Sequence, residues 1–124
     1  PFISREAVGA DTVGGRVIAP RTSVLISTWI LHRHRLLWER PDEFDPTRFL
    51  PGQRENVRRF AYLPFGAGPR ICIGMGFAMQ EAMILLATIT RRYRMELAPG
   101  EDVHPLARIT LRPKGGLKMR LWRR

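Results

Sequence analysis

The sequence holds a single cysteine, Cys72, among its 124 residues. One thiol excludes an internal disulfide framework, which fits a reducing compartment, and we therefore expect a cytoplasmic protein. A structural zinc site is also excluded, because it needs about four protein ligands and only His32, His34 and His104 could join the thiol, at no recognisable spacing. A lone cysteine is usually an inert apolar side chain, so its surroundings must indicate any function.

The sequence also lacks an initiating Met, a signal peptide and an apolar run long enough to span a bilayer, so we expect the visible part to be soluble. Acidic residues are few: 11 Asp and Glu stand against 21 Lys and Arg, for a net charge of +10. The arginines are scattered among strand-like apolar positions without a recognisable nucleic-acid module, so we expect no nucleic-acid partner. Solvated basic surface or docking of an acidic protein explains the charge better.

Glycine and proline concentrate around the cysteine, in the run Phe-Gly-Ala-Gly-Pro-Arg-Ile-Cys-Ile-Gly at residues 65–74. The apolar run at residues 73–89 predicts a long helix, which puts Cys72 at or near a helix N-terminus. Unpaired amides and the positive end of the helix dipole favour a thiolate there. One thiolate is enough only if a cofactor brings the other ligands, and haem does so through its porphyrin nitrogens.

The glycine-rich run carries a family resemblance. It fits the signature Phe-x-x-Gly-x-Arg-x-Cys-x-Gly of the haem-thiolate monooxygenases through Phe65, Gly68, Arg70, Cys72 and Gly74, and Ala78 and Glu81 continue it. The chain thus resembles the C-terminal haem-binding portion of the cytochrome P-450 superfamily, of a bacterial-like soluble type. We expect residues 1–124 to be part of a larger monooxygenase domain whose N-terminal part is absent, and to be inactive alone. A cut-out domain, a truncated reading frame and a fragment all fit.

The expected fold class is an α+β fragment of the mainly-α cytochrome P-450 fold. Gly14-Gly15 between Val-rich flanks predicts a β-hairpin, residues 23–28 predict another strand, and the apolar turn before His32 predicts a short helix. An ordered loop anchored by Phe44 and Phe49 and a polar meander at residues 51–60 lead to the cysteine-ligand loop. The helix at 73–89 is apolar on nearly every face, which predicts burial. Alternating apolar and polar residues predict strands at 93–97, 109–111 and 117–121, which would form a small C-terminal β-sheet.

The resemblance implies specific roles for the site residues. Haem b would be bound with Cys72 as the axial iron ligand and Phe65 covering the sulfur side. The amides after Cys72, including that of Gly74, would hydrogen-bond the sulfur and set the reduction potential. Arg70, and Arg5 ten residues before Gly15, would neutralise the haem propionates, and Gly68 completes the cofactor-binding set.

The resemblance also implies an enzyme that activates oxygen and oxidises an unknown small, apolar organic substrate. Electrons would come from a ferredoxin or flavoprotein, docked on the cysteine side against arginines that include Arg58, Arg59, Arg91 and Arg92. A loop at residues 106–110 would border the substrate cavity. The oxygen-activating helix is not in this chain, which therefore holds no catalytic residue beyond the haem ligand Cys72.

One position departs from the family pattern, and another matches it without its family partners. His34 stands where the family usually has an Asp, which leaves an Asp-based cap or salt bridge in doubt. Arg48 matches an arginine that pairs with a Glu and an Arg of an upstream helix. That helix is not in this chain, so we expect Arg48 to lack those partners if the chain exists alone, and an uncompensated buried charge is costly. Two other classes of function remain open: a non-catalytic haem-thiolate sensor or carrier, and a basic nucleic-acid or protein-interaction module that binds no cofactor.

Overall fold

The computed structural model describes residues 2–108 and 110–124, and it divides into two compact units, Pro1–Arg70 and Ile71–Arg124. The first unit contains β1 (Phe2–Glu6), β2 (Asp11–Val13), β3 (Arg16–Ile18), β4 (Ser23–Ser27), α1 (Thr28–Leu31) and 3-10 turns at Pro46–Phe49, Arg54–Asn56 and Gly68–Arg70. The second contains α2 (Met75–Arg92), β5 (Tyr93–Leu97), β6 (Pro105–Ala107), β7 (Leu111–Pro113) and β8 (Met119–Arg123). Among the described residues, no helix combines the length and hydropathy that crossing a membrane requires.

The predicted hairpin is formed by β2 and β3, which pair antiparallel. Gly14 and Gly15 have φ angles of 57° and 78°, the left-handed conformation that the two central residues of a tight hairpin turn need. Strands β1 and β4 flank the hairpin in sequence and pair antiparallel from Phe2 opposite Ser27 to Glu6 opposite Ser23. The prediction left β1 unassigned, because its partner lies about twenty residues away and local pattern does not identify such pairing.

Strand β4 ends one residue before the predicted boundary because Ser27 begins the next element. The Ser27 hydroxyl accepts a hydrogen bond from the Ile30 amide at 3.4 Å and so caps α1. The predicted short helix is therefore confirmed. Beyond it, the Trp38 indole donates to the Leu31 carbonyl at 3.1 Å, which folds the following segment back against α1.

An aromatic cluster holds the middle of the first unit. Tyr62 lies 5.0 Å from His32 and 4.7 Å from Phe49 between ring centroids, and Trp38 contacts Phe49 at 6.3 Å. Phe49 is thus an anchor as predicted. Phe44 is not: its side chain is 95% exposed, because it precedes the 3-10 turn and lies at the rim of an open cavity instead of under the cluster.

Helix α2 runs from Met75 to Arg92, two residues later at its start than predicted and three later at its end. Arg91 and Arg92 lie in the last turn, where positive charge suits the helix dipole. The prediction that this helix is buried is wrong for this chain, since Phe77, for example, is 74% exposed. A helix that is apolar all round needs neighbours on several sides, and no second helix lies beside it in the described part of residues 71–124.

The C-terminal strands form two antiparallel pairs, β5 with β8 and β6 with β7, instead of one small sheet. The predicted strand at 93–97 is confirmed as β5, and the strand predicted at 117–121 lies two residues later as β8. Of the strand predicted at 109–111, Leu111 begins β7, and Ile109 lies outside the described residues. Pro105 begins β6, a position where the lack of a backbone N–H is tolerated.

Candidate functional site

The cysteine loop is the glycine-rich run at residues 65–74, and its first part, up to Arg70, belongs to the first unit. Gly66 and Gly68 have φ angles of 80° and 71°, which side chains rarely adopt. A Cβ on Gly66 would meet only ordinary contacts, with the Arg70 carbonyl oxygen and Ile3 Cδ1, both at 3.9 Å. Backbone conformation, not crowding, therefore requires glycine here. Phe65 is half-buried, and the turn Gly68–Arg70 ends the segment.

The second part of the loop belongs to the second unit and leads directly into α2. Cys72 is a free, exposed thiol. Its carbonyl accepts a hydrogen bond from the Met75 amide at 3.2 Å, and the Gly74 carbonyl accepts from the Ala78 amide at 2.9 Å. Gly74 is the N-cap residue, so Cys72 lies two residues before the helix cap, close to the predicted place. A Cβ on Gly74 would lie 3.8 Å from the Cys72 sulfur.

The donor set around Cys72 suits a cofactor that brings most of its own ligands. Among residues 2–108 and 110–124, no group of three or more His, Cys, Asp or Glu side chains could hold a metal ion. The thiol is accessible, and its neighbours in sequence, Ile71, Ile73 and Met75, are exposed and apolar. A single sulfur ligand with apolar side chains beside it fits haem, whose porphyrin supplies four nitrogens and a broad apolar face.

Two arginines were assigned to haem propionates, and both are exposed in the first unit. Arg5 lies on β1 opposite Val24, and its guanidinium donates to the Ser4 carbonyl at 2.8 Å. Arg70 ends the 3-10 turn. Within the described part of the chain, no carboxylate forms an ion pair with either guanidinium. Both cations therefore keep their charge available for an external anion.

Arg48 is partnered within this chain by groups other than the upstream Glu and Arg that the family pattern implies, so its charge is not left uncompensated. Its guanidinium donates to the carbonyls of Glu39 and Arg40, the latter at 2.9 Å, and its Nε lies 3.9 Å from an Asp45 oxygen. The loop from Glu39 to Phe49 turns its own carbonyls toward the charge. Sequence reasoning missed this because it considered only side-chain partners.

Asp45 stabilises the same loop. Its carboxylate accepts hydrogen bonds from the Thr47 hydroxyl and, at 3.0 Å, from the Thr47 amide, so it caps the turn Pro46–Phe49. The Thr47 hydroxyl contributes most to lowering the pKa of Asp45, the Thr47 amide and the charges of Arg48 and Arg40 lower it further, and partial desolvation opposes them. Asp45 is therefore ionised at neutral pH.

Both histidines near α1 accept hydrogen bonds from backbone amides. His34 Nδ1 accepts from the Leu36 amide at 3.2 Å, so an imidazole forms a local cap at the position where an Asp was expected. His32 Nε2 accepts from the Leu63 amide at 2.8 Å. Burial, and secondly the charge of Arg33, lower the pKa of His32 below its ordinary value of 6.5. No local sequence pattern indicates this long-range bond, because it depends on tertiary contact.

The four arginines predicted to contact an electron donor are exposed. Arg58 and Arg59 are exposed in the meander, and the Arg59 guanidinium lies 4.7 Å from the Phe60 ring centroid. Arg91 and Arg92 are exposed at the end of α2. In the segment expected to border a substrate cavity, Leu106 is half-buried in β6, and Ile109 lies outside the described residues.

The chain is similar in sequence to proteins of one known family. The family model for cytochrome P450 matches residues 1–119. "Cyclooctatin synthase" of Streptomyces melanosporofaciens is 44% identical over 118 residues, covering 95% of this chain and 26% of that protein. "Cytochrome P450 4c3" of Drosophila melanogaster is 38% identical over 98% of this chain and 23% of its own length.

Solved structures agree with the fold. The crystal structure of the cytochrome P450DA heme domain superposes with a TM-score of 0.91 at 30% sequence identity, covering 100% of this chain and 27% of that one. The crystal structure of a cytochrome P450 named CYP102L1 gives a TM-score of 0.90 at 32% identity. The chain thus spans about a quarter of the length of the proteins it matches.

Proposed function

Because this chain belongs to the cytochrome P450 family, we propose that it is the C-terminal haem-binding portion of a larger monooxygenase domain. In this proposal Cys72 is the axial ligand of haem b. The observation that supports it best is the single accessible thiol, two residues before the cap of α2. As a portion of that domain, the chain is inactive alone.

The bound haem would supply reductive activation of dioxygen and insertion of one oxygen atom into an organic substrate, helped by electron donation from a thiolate. The protein's part is to hold the sulfur. Cys72 lies two residues before the N-cap of α2, so the start of the helix positions the sulfur. The amides after Cys72, including that of Gly74, are proposed to hydrogen-bond the sulfur and moderate its donation.

Arg5 and Arg70 are proposed to bind the haem propionates. Their support is exposure together with the lack of an ion pair within the described residues. Guanidinium suits this task because its planar fork matches a carboxylate with two parallel hydrogen bonds. Phe65 is proposed to cover the sulfur side of the haem, and Gly68 to keep the loop in its left-handed turn.

The electron donor is proposed to be a ferredoxin or a flavoprotein with acidic groups on its docking face. Exposed arginines, namely Arg58, Arg59, Arg91 and Arg92, support this choice, because complementary charge accelerates association. The substrate is proposed to be a small, apolar organic molecule bordered in part by residues 106–110. The cytoplasm is the proposed compartment, supported by a lone cysteine that forms no disulfide.

Haem content of the full-length protein tests the proposal. We expect the purified protein to carry about one extractable haem b per chain, and Cys72→Ser to lose most of it. The matched control is Val8→Ala, which changes an exposed apolar side chain of the first unit and leaves the thiol and its apolar neighbours. A full-length protein that takes up no haem would support a cofactor-free interaction module, and Cys72→Ser with undiminished haem would move the ligand elsewhere.

A further inference from the structure

His32 and Leu63 are joined by a side-chain hydrogen bond across 31 positions of the sequence. The Leu63 amide donates to His32 Nε2 at 2.8 Å, in a partly buried environment. By contrast, the Arg48 guanidinium reaches back only nine positions, to the Glu39 carbonyl. The imidazole thus connects two distant segments of the first unit.

Leu63 lies two residues before the cysteine loop at residues 65–74, where the backbone turns into that loop. Its carbonyl accepts a hydrogen bond from the Gly66 amide at 3.4 Å, while its own amide is held by His32. Gly66 in turn faces the Arg70 carbonyl oxygen and Ile3. The bond from His32 therefore fixes the entry to the segment that leads, nine residues later in sequence, to Cys72.

The imidazole is itself well held. The His32 amide donates to the Thr28 carbonyl at 2.9 Å at the end of α1, and the ring packs 5.0 Å from the Tyr62 ring. Because the imidazole is held on its own side, the hydrogen bond fixes the position of the Leu63 amide relative to α1.

Protonation would break the connection. A neutral imidazole has one nitrogen that accepts, whereas both nitrogens of the imidazolium are donors. An imidazolium at position 32 would direct an N–H group at the Leu63 N–H group. The other titratable groups lining the adjacent cavity of about 630 Å³ are Arg33, Arg48, Asp42, Glu43, Asp45 and Tyr62. The cations among them oppose protonation, the carboxylates favour it, and burial with the charge of Arg33 keeps the pKa of His32 below 6.5.

We propose that neutral His32 is a positioning residue for the cysteine loop, and that its protonation releases Leu63 and loosens sulfur ligation by Cys72. This inference rests on the proposed role of Cys72. The direction of the pH effect follows from the depressed pKa: the stabilisation is complete above pH 6.5, the ordinary value for His32, and is lost as the pH falls through the lower folded-state value.

Hydrogen exchange at the Leu63 amide, measured in the full-length protein at neutral pH, tests the bond itself. We expect His32→Leu to raise the exchange rate about tenfold, because the amide loses its acceptor. His32→Gln should restore most of the protection, since its amide oxygen can accept at a similar reach without titrating near neutrality. His104→Gln is the matched control, because His104 is exposed and pairs with Asp102.

The ferrous carbon-monoxide spectrum of the same proteins tests the effect on ligation. As the pH falls from neutrality through the folded-state pKa of His32, which lies below 6.5, the wild type and His104→Gln should lose the red-shifted thiolate-type Soret band, and His32→Gln should retain it. His32→Leu should show a weakened band even at neutral pH. Equal pH profiles for wild type and His32→Gln would overturn the inference, as would unchanged Leu63 exchange in His32→Leu. A wild type without the band at any pH would refute the role of Cys72, and the exchange rates would still decide whether His32 holds the loop.

Discussion

A Cβ built on Gly74 would stand 3.8 Å from the Cys72 sulfur atom, in ordinary van der Waals contact with it. With a φ of −83°, Gly74 is in a conformation open to other residues, so neither its backbone nor a Cβ alone requires glycine, and only a side chain that extends past Cβ would approach the sulfur more closely. We expect Gly74→Val in the full-length protein to weaken haem binding by about tenfold, since its two methyl groups extend past Cβ into the space beside the sulfur. Gly74→Ala should have a smaller effect.

Gly76 provides the control for that pair. It lies in the first turn of α2, and a Cβ there would meet nothing within 4 Å. Gly76→Ala should therefore leave haem binding unchanged and stabilise the protein by about 0.5–1 kcal/mol through helix propensity. Haem titration and denaturant unfolding measure the two effects. Equal haem affinities for Gly74→Val and Gly76→Ala would show that crowding near the sulfur is unimportant.

Gly68 should resist substitution because of its backbone. We expect Gly68→Ala to destabilise the full-length protein by about 1–2 kcal/mol, since its φ of 71° is unfavourable for a residue with a Cβ. Gly9→Ala is the comparison, because Gly9 has no positive φ and a Cβ there meets nothing within 4 Å. Urea unfolding measures both, and equal free energies of unfolding would contradict the prediction.

Arg48 should contribute more to stability than its neighbour Arg40. The Arg48 side chain is 16% exposed and bonds two carbonyls, so Arg48→Ala should cost about 1.5–3 kcal/mol. Arg40 is 61% exposed and pairs with Glu43 at the surface, so Arg40→Ala should cost less than about 1 kcal/mol. Thermal unfolding of the full-length variants gives the comparison. A cost for Arg40→Ala as large as that for Arg48→Ala would refute the assignment.

Charge reversal in the meander tests the proposed donor surface. We expect Arg58→Glu with Arg59→Glu to slow reduction of the haem by a reduced acidic ferredoxin about tenfold at low salt, because attraction becomes repulsion. Haem binding should not change. Arg16→Glu, at an exposed position of the hairpin, supplies the control. Stopped-flow reduction that is equally fast in both variants at low ionic strength would remove this surface from the proposal.

Features that depend on residues close in sequence could be predicted from the sequence, whereas contacts between distant residues could not. The Gly14-Gly15 turn, the helix after Cys72 and the family signature could be predicted, because each depends on residues a few positions apart. The pairing of β1 with β4 could not, since its register is set by residues far apart in sequence. Nor could the partners of Arg48 or the bond between His32 and Leu63, which depend on where the folded chain brings its backbone carbonyls and amides.

The exposure of α2 shows a different limit. Its apolar residues predicted burial, and the pattern is typical of a buried helix, yet the described chain provides little to cover it. A helix that is apolar on all sides is typical of one packed against several neighbours, so its composition alone predicts burial. The chain spans about a quarter of the length of its relatives.

The ferrous carbon-monoxide spectrum of the full-length protein at neutral pH tests the central claim most directly. We predict a red-shifted, thiolate-type Soret band in the wild type, its loss in Cys72→Ala, and a band typical of nitrogen ligation in Cys72→His. A thiolate-type band that survives Cys72→Ala would contradict the assignment of Cys72 as the haem ligand.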